Sequence, residues 1–424
     1  MAGRKLVIGI DYTDRYCQAC YYSYRHLRPE SVSAGTDVMR YLIPSVLFYD
    51  SADDTWAVGN SALRMAEDAG EQAVGGLMEK ILADERAQIA GREYSYRELL
   101  AIFFGKLLEY IQIRTSIMAV ESVTVTMNEV DDNIKQIMEE VFGSLGIPAS
   151  SVRLLSTSES FGYFFINESS LSGSAGAIIF DFGYDGFFVK QLKMGSEYGR
   201  PLVFIDEYDF SGDFSISSIA SEMLREQMDL KLSNLFLDLK SREPSGAVFF
   251  TGEGFSEQWF TRTLNTISGS HRAFKGNNIY VKGACTAGFL QAEGREEDIT
   301  IICRGRTRVF ITARAWDNGA MADILLSPGA VDWYDAGFAG DFILENERSI
   351  VLKIHSVISQ KTTPVEIVLS SIPERPVKTT RVEIEIKYKN EMECVITVTD
   401  KGFGDFFPGS GCVVTRYVNL EEYI

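Results

Sequence analysis

The sequence predicts an α/β domain made of two similar halves, followed by a separate all-β domain. Three observations carry this. Residues 5–11 (Lys-Leu-Val-Ile-Gly-Ile-Asp) and 177–182 (Ala-Ile-Ile-Phe-Asp-Phe) are short apolar runs with Asp near the end, the pattern of a buried strand that reaches a polar edge. Each is followed by a tight polar turn and a second β-rich run, 16–24 and 186–192. After Glu297 helical periodicity disappears, and the runs 299–315, 349–357, 365–370, 380–388 and 393–399 are rich in Ile, Val and Thr. Arg381 to Tyr388 alternates strictly, as a strand with one solvated face does. The predicted domains are 1–295, with halves of about 1–170 and 171–295, and 296–424.

Taken in order, 41–49 and 54–58 predict a second hairpin, and Gly59 to about residue 90 a mostly polar helical stretch. Ser95 and Glu98 fit a capping box. Leu99, Leu100, Phe103, Leu107, Leu108 and Ile111 follow at helical spacing. A strand at 122–127, a helix over 131–145, a strand at 152–155 and a short aromatic helix at 158–166 complete the first half. The pattern restarts after the Ser/Gly-rich loop 169–176. One or two helices are expected over 215–240. A strand at 247–251 runs into Gly252-Glu253-Gly254 and a helix carrying Trp259, Phe260 and Leu264, and 278–291 reads as strand then helix.

Composition narrows the function. The chain has 424 residues, 46% hydrophobic and 24% charged, which is ordinary globular usage and excludes a disordered chain, a coiled coil or a collagen-like rod. Acidic residues outnumber basic ones, 59 to 41, for a net charge of −18. Nucleic-acid binding needs a basic face, so that role is not expected. No apolar run approaches the ~18 residues of a membrane span, and the N-terminal apolar stretch is interrupted at Asp11, too early for a leader. The expectation is a cytoplasmic protein without membrane insertion. Cys17 and Cys20 form a lone C-x-x-C among six Cys and three His. A zinc site wants four ligands, so these read as plain reduced thiols.

The candidate chemistry lies in the two hairpins. A strand-turn-strand tip can cradle phosphate with backbone N–H groups, and an acid at the strand end can hold water on a metal ion. A strand entering Gly-x-Gly at a helix start would aim further donors at a ligand. The order acid-hairpin, acid-hairpin, strand-Gly-x-Gly-helix is more specific than any single part.

On these residues the sequence resembles the actin, sugar-kinase and heat-shock-chaperone ATPase superfamily, with its duplicated, ribonuclease-H-like halves. Its closest likeness there is to the 70-kilodalton heat-shock chaperones. Leu6 to Ala19 resembles the first phosphate loop and Ala177 to Val189 the second. Ile43 to Leu47, with Ala57-Val-Gly59 and Ala62 to Ala66, resembles the early hairpin and helix, and Val123 to Val152 the strand-helix stretch after it. Ala247 to Phe255 resembles the adenosine motif, and Val281 to Phe289 its closing helix. Val365 to Pro373, Arg381 to Ile386 and Cys394 to Asp400 resemble the peptide-gripping sheet. The resemblance implies ATP or ADP with Mg²⁺ as cofactor. It also implies that Asp11 and Asp181 hold Mg²⁺ through water, and that Tyr12, Thr13, Asp14, Gly183, Tyr184 and Gly186 lie at the phosphates. Gly252, Gly254 and Phe255 would lie at the nucleoside. The β domain would bind an extended peptide or a partner protein.

Departures from the family matter equally. The first loop has Thr13-Asp14-Arg15 after Tyr12, and the second Gly183-Tyr184-Asp185-Gly186, where the family has small residues. Leu63, beside Arg64, stands at the catalytic Lys position, and Thr157, two residues from Glu159, at the catalytic Glu position. A lost Lys removes charge stabilisation of the transferring phosphoryl group. The interval between the second hairpin and Gly252 leaves only a reduced insertion subdomain, and the chain ends at Ile424 without a helical lid. The expectation is a degenerate chaperone-like protein with weak or no ATP hydrolysis. The alternatives are an ATPase whose catalytic groups have moved to Asp14, Asp185 or Glu159, and an actin-like scaffolding or assembly protein. Neither the client nor the oligomeric state is legible. Phe161 to Phe165 reads as core. Phe403, Phe406 and Phe407 read as a loop anchor or an exposed partner patch.

Overall fold

The computed structural model describes residues 5–33, 41–171, 173–197, 200–242, 245–317, 319–345 and 348–424. The first four residues, part of the leader argument, and residue 172 of the Ser/Gly-rich loop lie outside these. The chain is an α/β fold with mixed sheets followed by a β-rich C-terminal region, and it divides into two units, 1–301 and 302–424.

The first lobe of the α/β unit contains β1 (Leu6–Tyr12), β2 (Tyr16–Ser23), β3 (Arg28–Ser31), β4 (Ile43–Pro44), β5 (Leu47–Asp50), β6 (Thr55–Val58), α1 (Asn60–Ala69), α2 (Leu77–Leu82), β7 (Arg86–Ile89), β8 (Arg92–Ser95), α3 (Tyr96–Thr115), β9 (Val120–Met127), α4 (Asp132–Ser144), β10 (Val152–Ser156) and α5 (Thr157–Asn167). Its main sheet has the order β10-β9-β1-β2-β3. β1 and β2 are antiparallel, and β9 and β10 run parallel to β1. The capping box at Ser95 and Glu98 forms as expected. The polar stretch expected to be helical to residue 90 is instead two short helices and the β7–β8 hairpin. Its few apolar residues were too sparse to separate the two periods.

The second lobe contains β11 (Gly176–Gly183), β12 (Gly186–Glu197), β13 (Arg200–Asp209), α6 (Glu222–Arg242), β14 (Ala247–Thr251), α7 (Thr261–Ser268), β15 (Arg272–Lys275), α8 (Ile279–Ala292) and β16 (Thr300–Ile302). Its sheet order is β15-β14-β11-β12-β13-β16. β11, β12 and β13 form an antiparallel meander, and β14 and β15 run parallel to β11. Five strands of each sheet therefore share one order and one sense. The expected strand at the start of 278–291 is absent: β15 precedes it, and 279–292 is one helix.

Each lobe's last helix lies against the other lobe's sheet. On α5, Phe161 and Phe164 meet Phe249 of β14 edge-on. On α8, Phe289 stacks on Tyr22 of β2, and Val281 and Cys285 pack on Cys20. The two helices also touch backbone to backbone. A Cβ on Gly283 would lie 1.7 Å from the Ser160 carbonyl oxygen, so only glycine permits the contact.

The C-terminal unit contains β17 (Val309–Asp317), β18 (Ala320–Ser327), β19 (Phe338–Leu344), β20 (Ser349–Ser356), β21 (Thr362–Val368), β22 (Thr380–Asn390), β23 (Glu393–Asp400) and β24 (Val413–Asn419). They form two four-stranded antiparallel sheets, β18-β17-β20-β21 and β19-β22-β23-β24. The inner faces share one apolar core that includes Ile311, Leu352, Ile354, Ile384, Ile396 and Val398. Among the described residues no helix is long and apolar enough to cross a membrane. All six cysteines are free thiols. Cys17 and Cys20 are an odd number of residues apart on β2, so they point to opposite faces of the sheet and join different clusters.

Candidate functional site

The site is the cleft between the two lobes, built on the β1–β2 and β11–β12 hairpins. Asp11 and Asp181 occupy equivalent places near the ends of β1 and β11, opposite Gln18 and Phe188. The turns that follow differ. Tyr12 is buried, its ring edge-on to Phe103 and Phe104, and its hydroxyl donates to Asp14 Oδ1 at 2.8 Å. Asp14 also accepts from the backbone N–H groups of Met78 and Glu79, at 2.7 and 2.8 Å. It therefore caps the start of α2 and does not face a ligand. The Thr13 N–H donates to the Tyr16 carbonyl at 2.9 Å, and the Thr13 carbonyl accepts from Ser45 Oγ at 2.7 Å. The donors expected at a phosphate from Thr13 are thus engaged in closing the turn.

In the second hairpin Gly183 pairs with Gly186, leaving Tyr184 and Asp185 at the tip. Tyr184 is exposed, and the Arg15 guanidinium lies 3.9 Å from its ring centroid. The two tips meet across the mouth through this cation–π contact.

The third expected element departs most. Only a single 3₁₀ turn, Glu253–Phe255, follows β14, and α7 begins at Thr261. No helix N-terminus is aimed from the Gly-x-Gly. Gly252 has φ +92°, and a Cβ there would lie 2.3 Å from the Phe182 carbonyl oxygen; a Cβ on Gly254 would lie 2.3 Å from the Phe182 ring. The space cleared by the two glycines is filled by Phe182. Phe255, expected at the nucleoside, is fully buried and stacks on Trp259, with centroids 5.8 Å apart and planes 8° apart. Its place is the aromatic core beneath the cleft.

The floor is a polar cluster in which Lys190 and Tyr280 are buried and Asp11, Asp181 and Glu207 are half-buried. The Tyr280 hydroxyl donates to Asp181 Oδ2 at 2.7 Å. Lys190, 2% exposed, lies 3.4 Å from Glu207 Oε2 and 5.3 Å from the Tyr280 ring centroid. Ser158 Oγ donates to the same Glu207 oxygen at 2.7 Å. Burial, with the negative charge of Asp181 beside it, pushes the Asp11 carboxyl up to about 7 against the pull of Lys190. Burial also raises Asp181, opposed by Lys190 and the Tyr280 hydrogen bond. Burial raises Glu253 in the wall, with Asp181 and Asp185 adding to the effect. Lys190, Glu207 and Tyr280 were missed from the sequence. Lys190 had one signal, a lone charge inside the apolar run 186–192; Tyr280 had none.

Arg15, Asp11, Asp181, Asp185, Glu253 and Tyr280 are among the residues lining the cleft, whose cavity volume is about 110 Å³. Pockets for cofactor-sized ligands run to about 300–1,000 Å³. Among the described residues, no three His, Cys, Asp or Glu side chains come together to hold a metal ion. A cavity of this size does not take a whole adenosine nucleotide, and the described residues offer no dedicated metal cage. The positions read as catalytic carry no catalytic group. Leu63 is exposed on α1, and Thr157 is buried at the start of α5. The nearby Glu159 accepts from the Ser156 N–H at 3.1 Å in a capping box.

These features define an α/β protein with two sheets of matching order about a small acidic cleft, joined to an antiparallel β unit. The chain belongs to the family of unknown function DUF5716, whose C-terminal part it matches over residues 28–304. Residues 306–420 match the domain of unknown function DUF8552. No curated protein matches the chain.

Proposed function

We propose that the α/β unit is a degenerate relative of the actin, sugar-kinase and heat-shock-chaperone ATPases, and that the chain is a chaperone-like protein-binding protein without ATP turnover. One observation supports this most. Two sheets of the same order and sense each bring an Asp, Asp11 or Asp181, to the same place in a strand-turn-strand hairpin over one cleft. The loss of turnover follows from the side chains. Asp14 and Glu159 serve as helix caps, and Leu63 and Thr157 offer neither a cation nor a base. The small cavity, the Thr13 N–H engaged in its own turn and the burial of Phe255 in the core support a loss of nucleotide binding along with hydrolysis. Protein binding then falls to the β unit, whose outward residues include the exposed Trp316, Leu325 and Val351 on antiparallel strands suited to an extended peptide.

The test is phosphate release and calorimetry on the full chain with Mg²⁺ and ATP, alongside anisotropy with labelled extended apolar peptides. Working enzymes turn over at about 1–10³ s⁻¹; the expected result is no turnover and saturable peptide binding. ATP turnover that Asp11→Asn abolishes would overturn the degenerate reading, and a peptide panel without a saturable binder would overturn the protein-binding one.

A further inference from the structure

We infer that Lys190 is the cleft's resident cation, and that its ammonium, rather than a divalent metal, neutralises the carboxylate floor. The inference takes Asp11 and Asp181 as the floor of the site, as in the reading above, but stands whether or not a nucleotide ever enters.

The register places Lys190 for this task. On the β12–β13 pair it is directly opposite Glu207. On the β11–β12 pair it is opposite Ile179, two residues before Asp181, so it shares a sheet face with Asp181. One ammonium is thus flanked by a carboxylate on each neighbouring strand. Its 3.4 Å approach to Glu207 is made inside the protein, and the Tyr280 ring that it faces carries the hydroxyl bonded to Asp181. A buried ammonium is strongly unfavourable unless carboxylates compensate it. Two half-buried carboxylates lining one cleft equally favour a positive charge beside them. Lys190 meets both requirements, and its field opposes the upward push that burial gives both Asp11 and Asp181.

The first lobe shows that the lysine is not a requirement of the fold. There the matching position is Cys20, whose partner Gly9 is two residues before Asp11, and it packs on Val281 and Cys285 of α8. At the floor the charge comes from the second lobe, with Arg15 of the first lobe at the mouth, and one ammonium serves both acids because they line a common cleft. Mg²⁺ keeps several waters and needs only one or two carboxylates, so the two acids could attract an ion if the ammonium were absent; with Lys190 in place, an entering ion would share the acids with a charge already there.

Thermal unfolding of the full chain with EDTA, Mg²⁺ or Ca²⁺ tests this. The wild-type midpoint is expected to move by less than ~1 °C between conditions, because no site binds the ion. Lys190→Met is expected to lower the midpoint by roughly 5–10 °C in EDTA, and Mg²⁺ or Ca²⁺ should restore part of the loss. Lys190→Met/Asp181→Asn, which removes a negative charge with the positive one, should be more stable than Lys190→Met in EDTA. A saturable metal stabilisation of the wild type would overturn the proposal. So would a Lys190→Met variant indifferent to metal, or a double variant no more stable than the single one, including the case where neither folds. A null result with ATP would bear only on the nucleotide history of the cleft and would leave these metal readouts intact.

Discussion

The protein buries charge in two ways, and the contrast separates structure from site. In the β unit Arg375 and Asp400 form a closed pair, with Nη1 to Oδ1 at 2.7 Å and Nη2 to Oδ2 at 2.6 Å. The Ser410 N–H and hydroxyl and the Gly402 N–H complete the carboxylate's shell. Every charge has its partner, and the result pins the loop between β23 and β24. In the α/β unit Lys190 pairs with Glu207, and its charge also acts on Asp11 and Asp181, so carboxylates outnumber the ammonium. The first arrangement pulls its carboxyl well below the ordinary range, with the Arg375 hydrogen bonds as the main cause. The second raises Asp11 and Asp181 above it. Balanced burial is a brace, whereas unbalanced burial keeps groups poised to change protonation or partner.

The contrast can be tested at individual residues, beginning where the most stability is at stake. Arg375→Leu strands the buried Asp400 and should cost about 3–5 kcal/mol. Urea unfolding, with hydrogen exchange to localise the loss to the β unit, reads it. Gly283→Ala drives a methyl into the Ser160 carbonyl above the acidic floor and should cost about 1–3 kcal/mol, with exchange quickening in α5 and α8. Asp11→Asn should do the reverse and stabilise at pH 8, by at most roughly 4 kcal/mol if the whole shift is relieved. The folded Asp11 carboxyl titrates near 7 against an ordinary 3.8, so the folded state holds a proton that the unfolded chain has lost. Wild-type stability from this group is therefore present at low pH and declines as pH rises from about 4 to about 7; the variant's advantage should vanish at pH 4. Asp400 carries the opposite sign. Its lowered carboxyl contributes stability above the ordinary 3.8 that is lost as the pH falls below it, so acid should open the β unit while sparing the floor. Arg15→Ala, which removes the contact across the cleft mouth, should cost under ~1 kcal/mol, and added salt should shrink the difference.

What could be read from the sequence was whatever repeats along the chain. The hairpin acids stand at the ends of apolar runs, and the Ser95–Glu98 cap and the α3 stripe recur at fixed spacing, so strand and helix order emerged locally. Tertiary substitutions were hidden. Phe182 filling the space of Gly252 and Gly254 joins segments some 70 residues apart, and nothing local distinguishes a glycine cleared for a ligand from one cleared for a ring. Likewise Asp14 reads as a cleft acid until α2 comes to rest on it. β13 was missed because Pro201, Asp206, Glu207 and Asp209 break its apolar pattern, yet Glu207 is the residue that holds Lys190. In the β unit β18, β19 and β24 went unread. Their exposed Met321, Leu325, Ile343 and Tyr417 blur the alternation that marks a half-buried strand.

The contact between Gly283 and Ser160 has a mechanical consequence. Two helices that meet main chain to main chain form a pivot with almost no clearance. Sliding one past the other would press the Gly283 main chain into a carbonyl, whereas turning about the contact would not. A lobe motion that keeps this contact must turn about it rather than slide past it, and a distance probe spanning Arg15 and Tyr184, which meet from opposite lobes, would read such a turn.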